Sequence, residues 1–182
     1  VHEMVHTALA DVPDRHHWLE EGAAVYVESM ARMQAGDLEP QFVWGEFARR
    51  MPLGLPQGDQ GLDQTDSWGN TYWGGAVFSF LADLRIRRKT NNAMSLRDAL
   101  RGIVAAGLHA GYWAGIRDLL RAGDAATGTR VLEELYDDMR ETAMPVDLRT
   151  IWADLGVVKD GRMARFDASA PEAWLREAMS KP

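Results

Sequence analysis

The sequence has no cysteine, which excludes both a disulfide framework and a thiolate metal site. It also has no apolar run near the roughly 20 residues that a membrane-spanning helix requires. The longest candidates are broken by Gly, Arg or Asp. Positive charge is in deficit: 20 Lys and Arg stand against 27 Asp and Glu, for a net charge of -7. A nucleic-acid binder needs a basic face to neutralise phosphates, so that class is set aside. Strand-like alternation is scarce, and there are no repeats, low-complexity segments or interdomain linkers. With 182 residues the chain has room for one domain with a sizeable core. The expectation is a single, mainly α domain over residues 1–182. A soluble protein is expected, and a cysteine-free chain fits the cytoplasm as well as the periplasm or a secreted setting.

What is present is helical periodicity. It predicts a helix from the start to about Ala10, ended by "DVPD", and a second over "WLEEGAAVYVESMARMQ". A short third helix fits "VWGEFARRM". The stretch "PLGLPQGDQGLDQTDSWGN" is rich in Gly and carries two Pro, so it reads as a long surface loop of the kind that is often functional. A long helix then covers "TYWGGAVFSFLADLRIRRK", closed by "TNN", and Ser95 is placed to N-cap the next one. Two more fit "YWAGIRDLLRAG" and "TRVLEELYDDMRE". The tail mixes short helices with one hairpin at "VVKDGRMARF".

The chemistry lies at the start. His2, Glu3 and His6 spell His-Glu-x-x-His on a helix. Residues four apart share a face, so both imidazoles can reach one cation with Glu3 beside them. Neutral imidazole suits zinc, and a catalytic zinc takes a third protein ligand and leaves one position open. The competing reading is a chance match on an ordinary helix. The next helix opens with Glu20 and Glu21, either of which would return a carboxylate over the imidazoles; dipole pairing at a helix start accounts for one of them.

"HEMVH" followed by "WLEEGAAVYVE" resembles the gluzincin zinc metallopeptidases, whose second motif reads Trp-Leu-x-Glu-Gly. The segment "TYWGGAVFSFLADLRIRRKTNNAMSLRDALRGI" and the C-terminal "FDASAPEAWLREA" are similar to the glycyl-aminopeptidase-like members. The resemblance covers nearly the whole chain, as the helical lobe of a thermolysin-like catalytic domain. It implies zinc held by His2, His6 and Glu21, with Glu3 as general base and then general acid toward water at the metal. Tyr72 would donate a hydrogen bond to the oxyanion, and Glu28, two turns after Glu21, would either orient a ligating histidine or stand as a solvated acid on an exposed helix face. The family's Lys two residues after that tyrosine is Gly74 here. The implied activity is peptide-bond hydrolysis on a peptide or protein substrate, as an aminopeptidase. The alternative is a peptidase-like module that keeps the fold and binds without cleaving.

The same resemblance implies a mostly β lobe upstream of His2, forming the other wall of the cleft. The chain opens one residue before the motif, with neither an initiator Met nor a signal segment, so a piece of a larger protein is expected. On that reading the isolated chain holds zinc weakly or not at all, lacks useful activity and self-associates through its open face. Other residues carry blander readings. His16 and His17 fit a solvated loop pair, and His109 a surface position. Tyr72 has a packing role open to it, against Trp68 or Trp73. Asp59, Asp63 and Asp66 read equally as solvated loop acids or as a lure for a substrate amine.

Overall fold

A computed structural model describes residues 1–56, 58–64 and 67–182. Among these, nine α-helices and one two-stranded sheet account for the regular structure. They are α1 (His2–His6), α2 (His17–Gln34), α3 (Pro40–Arg50), α4 (Gly75–Lys89), α5 (Leu96–Ala105), α6 (Ile116–Thr127), α7 (Val131–Met139), α8 (Leu148–Asp154) and α9 (Ala173–Met179), with β1 (Val157–Asp160) and β2 (Met163–Phe166) between α8 and α9. The mainly α expectation holds.

α4 is the centre of the molecule. Its faces are apolar nearly all round, which marks a helix enclosed by others; Phe78, Phe80, Leu84 and Ile86 are fully buried. Trp44 and Phe47 of α3, Leu135 of α7, Leu155 and Leu175 complete the core around it. A buried carboxylate, Asp83, joins three helices: it accepts from the Tyr26 hydroxyl on α2 (2.8 Å), Nε of Arg87 on α4 (3.0 Å) and the Leu96 amide that opens α5 (2.8 Å). Such a group is tolerable in the core only because its lone pairs are taken up.

Local chemistry sets the helix ends. Pro40 occupies the first turn of α3, where its missing N–H costs nothing, so this helix begins three residues before the apolar pattern does. Ser95 caps α5 in a reciprocal capping box with Asp98. Asn91 and Asn92 take positive φ (50° and 63°) after α4, a conformation asparagine tolerates better than other non-glycine residues. The hairpin pairs Val157 with Phe166 and Asp160 with Met163, as the sequence suggested.

Two boundaries differ from expectation. α1 stops at His6, because Asp11 leaves the helix to bridge Trp113 in a single parallel pairing. Trp113 is held in that pairing and Gly115 is extended, so α6 begins only at Ile116. The Gly-rich stretch after α3 is less irregular than its composition implies: it carries two 3₁₀ turns and runs into a π-helical turn, Gly69–Gly74, continuous with α4.

Candidate metal centre

α1 is short but anchored. The Val1 carbonyl accepts from Met4 and Val5 (3.0 and 3.2 Å), and Val5 is buried. This places His2 and His6 one turn apart on the face toward α2. Glu21 lies in the second turn of α2 and is largely buried. The neighbouring Gly22 lets α2 approach α4 without a side chain between them; a Cβ there would overlap the Gly75 backbone.

Three ligand atoms converge. His2 Nε2 lies 3.3 Å from His6 Nε2 and 3.2 Å from Glu21 Oε2, and His6 Nε2 lies 3.6 Å from the same oxygen. A tetrahedral cation with ligands at about 2.0–2.2 Å requires ligand atoms about 3.3–3.6 Å apart, the edge of the tetrahedron. The three separations match that edge, so His2, His6 and Glu21 form a group able to hold a metal ion. Glu20, the other candidate, turns away: its Oε1 accepts from the Val12 amide (3.0 Å) and its Oε2 faces His17 Nδ1 (3.0 Å).

A carboxylate backs the centre. Glu28, two turns after Glu21, sets Oε2 3.7 Å from His2 Nδ1, the ring nitrogen that faces away from the cluster. Its other oxygen lies 3.6 Å from Arg32. The contact with His2 is at ion-pair distance, longer than a hydrogen bond, on the side of the ring opposite the cluster.

Glu3 is exposed on α1, open to anything that enters beside the cluster. Tyr72 stands on the π-helical turn, a form that favours functional sites. Burial raises the pKa of its phenol, and the negative charge of the neighbouring Glu21 carboxylate raises it further; Glu3 adds to the effect. Tyr72 also stacks on Trp68, with ring centroids 5.4 Å apart at 28°. The packing and the polar contact therefore coexist. Trp68 keeps 59% of its surface exposed whereas Trp73 is buried, so only Trp68 offers a face to the outside. Gly74 has its own explanation: a Cβ there would stand 2.8 Å from Leu62 Cδ2 and 3.2 Å from the Gly54 carbonyl oxygen. A lysine would have to displace both.

His16 is not a solvated loop residue. It is 2% exposed, and its Nδ1 lies 2.9 Å from Asp63 Oδ1. Asp63 also accepts from Trp18 Nε1 (2.9 Å) and the Tyr136 hydroxyl (2.6 Å). This acid therefore ties the Gly-rich stretch to α2 and α7, and neither solvation nor a substrate lure describes it. Burial, followed by the Asp63 contact, pushes the Tyr136 phenol far up. Asp59 is exposed, and Asp66 lies outside the described residues. His109 is exposed and meets Tyr112 edge-on at 4.9 Å.

His17 departs from expectation in another way. It is exposed, yet its Nε2 lies 3.2 Å from Glu21 Oε1, the carboxylate oxygen not directed at the imidazoles. The i, i+4 spacing of His17 and Glu21 was the available signal for this contact. A separate cavity of about 490 Å³ lies between α1, α2 and α5, with Val27, Met30, Leu96 and Leu100 among its lining; none of the three ligand residues borders it. Among the described residues no helix is long and apolar enough to cross a membrane. No family model, curated protein or solved structure matches the chain.

Proposed function

We propose that the chain carries the catalytic centre of a zinc-dependent peptidase, the helical lobe of a gluzincin-type domain acting as an aminopeptidase. One observation carries the reading: two imidazole nitrogens and one carboxylate oxygen stand at the separations of a tetrahedral cation, with Glu3 next to His2 in the chain. Nitrogen and oxygen donors without thiolate suit a zinc ion bound for chemistry.

Zinc held there by His2, His6 and Glu21 would acidify water and polarise a scissile carbonyl. Glu3 takes the proton from the attacking water and later delivers it to the departing amine nitrogen. The Tyr72 hydroxyl donates to the carbonyl oxygen as it gains negative charge. Glu28 holds the His2 ring in orientation. The exposed face of Trp68, stacked on Tyr72, offers an apolar wall for a substrate side chain.

Metal analysis of the purified protein tests the reading. Wild type and Glu20→Ala should bind one zinc per chain, and Glu21→Ala should bind none. Glu3→Gln should keep zinc in the intact protein and lose hydrolysis of short peptides. Zinc bound equally by wild type and Glu21→Ala would remove the assignment.

A further inference from the structure

The Glu21 carboxylate has two oxygens with different surroundings. Oε2 faces His2 and His6, while Oε1 meets the imidazole of His17 at 3.2 Å. His17 in turn has its other nitrogen, Nδ1, 3.0 Å from Glu20 Oε2. Glu20 is itself fixed, because its second oxygen accepts from the Val12 amide at 3.0 Å. The contacts thus form one line: the backbone just after α1, Glu20, His17, Glu21 and the cluster.

We infer that His17 is a positioning residue for the metal ligand Glu21, holding Oε1 away from the cluster so that Oε2 alone is presented to the cation. The inference rests on the metal-centre reading above and extends it to the first turn of α2. A carboxylate turns about its terminal bond over a broad, shallow range. Unrestrained, Glu21 can present either oxygen or both. An imidazole seated 3.2 Å from Oε1, at ion-pair distance, restricts that rotation before the cation arrives, and such supporting contacts change metal affinity by about 10–100-fold. His17 is suited to the role because it is on the same helix as Glu21, one turn earlier, and reaches along the helix face. It is 53% exposed at the side chain, so packing does not explain its orientation; Glu20 does. The arrangement also gives Glu20 a purpose that a helix-dipole contact alone would not supply.

The test uses zinc and cobalt(II) chloride with the purified chain. Calorimetric titration should show His17→Ala binding zinc about 10–100-fold more weakly than wild type. His17→Gln, whose amide can take the same place beside Oε1, should recover most of that loss. Glu20→Ala should fall between wild type and His17→Ala. The visible spectrum of the cobalt-loaded protein reports ligand geometry, and it should change in His17→Ala and return in His17→Gln. Thermal melting of the metal-free chain should be the same for wild type, His17→Ala and His17→Gln, which separates positioning from folding. If wild type binds zinc and His17→Ala binds it equally, the inference is overturned while the centre stands. If His17→Gln is as weak as His17→Ala, His17 is a direct ligand and the positioning role is likewise overturned. If wild type takes up no zinc, this inference falls.

Discussion

Gly22 of α2 and Gly75 of α4 meet backbone to backbone, so closely that a Cβ on Gly22 would overlap the Gly75 carbonyl carbon. The contact is reciprocal, since a Cβ on Gly75 would overlap the Trp18 carbonyl oxygen. It seats the helix bearing Glu21 directly on the central helix, one residue from that carboxylate. The glycine in "EEG" is therefore a matter of approach distance, not of backbone conformation.

Gly22→Ala should destabilise the protein by about 1–3 kcal/mol or more, because a backbone neighbour cannot rotate aside as a side chain can. For a chain of this length that corresponds to a fall of several degrees in melting temperature, roughly 2–4 °C per kcal/mol. Zinc affinity should fall in parallel, as the Glu21 backbone shifts. Calorimetric melting with and without zinc measures both.

Asp63→Ala should cost about 3 kcal/mol or more. It leaves His16 Nδ1, Trp18 Nε1 and the Tyr136 hydroxyl without their shared acceptor, at about 1–3 kcal/mol for each buried group left unsatisfied. Urea unfolding should show a lower midpoint at an unchanged slope.

Stability should fall as pH rises above about 10. The Tyr26 phenol is held far above its ordinary value of 10.0 by burial and then by Asp83, and Tyr136 is raised by burial and then by Asp63. Both are raised in the folded state, so their contribution is fully present below the unfolded pKa. It is lost as pH climbs from there toward the folded values. Urea midpoints measured from pH 8 to 11.5 should stay level at first and then decline. Tyr136→Phe should flatten part of the decline.

Tyr72→Phe in the intact protein should lower kcat by about 10²–10³-fold with little change in KM, as expected for a donor that acts mainly on the developing oxyanion. A variant with undiminished kcat would leave Tyr72 with only its stacking role against Trp68. Steady-state kinetics on a short peptide substrate decides between them.

Glu28→Ala should weaken zinc binding by about 10–100-fold, since His2 loses the carboxylate behind Nδ1. Glu28→Gln should lose less, because its amide oxygen can still accept from the ring. Calorimetric titration of zinc into each variant gives the comparison.

The sequence by itself determined the helical class, the apolar wrap of α4, the capping of α5 and the turn of the β1–β2 hairpin. All of these depend on short-range periodicity or on single residues acting on their own backbone. It also determined which residues of α1 share a face, because His2 and His6 are one turn apart whatever surrounds them. Helix periodicity alone left open which acid of "EEG" joins them; the family resemblance pointed to Glu21, and the packing of the helices is what brings it there. Glu20 and Glu21 are neighbours on one helix, and their separation into an anchor for His17 and a member of the cluster follows from how α2 is rotated against α1 and α4. Asp63 is the plainest case. Its Gly-rich surroundings read as solvated, yet it is paired with His16, Trp18 and Tyr136, partners up to 73 residues away in the chain. Long-range pairing of that kind has no local signal, because its energy comes from groups brought together only after the helices have packed.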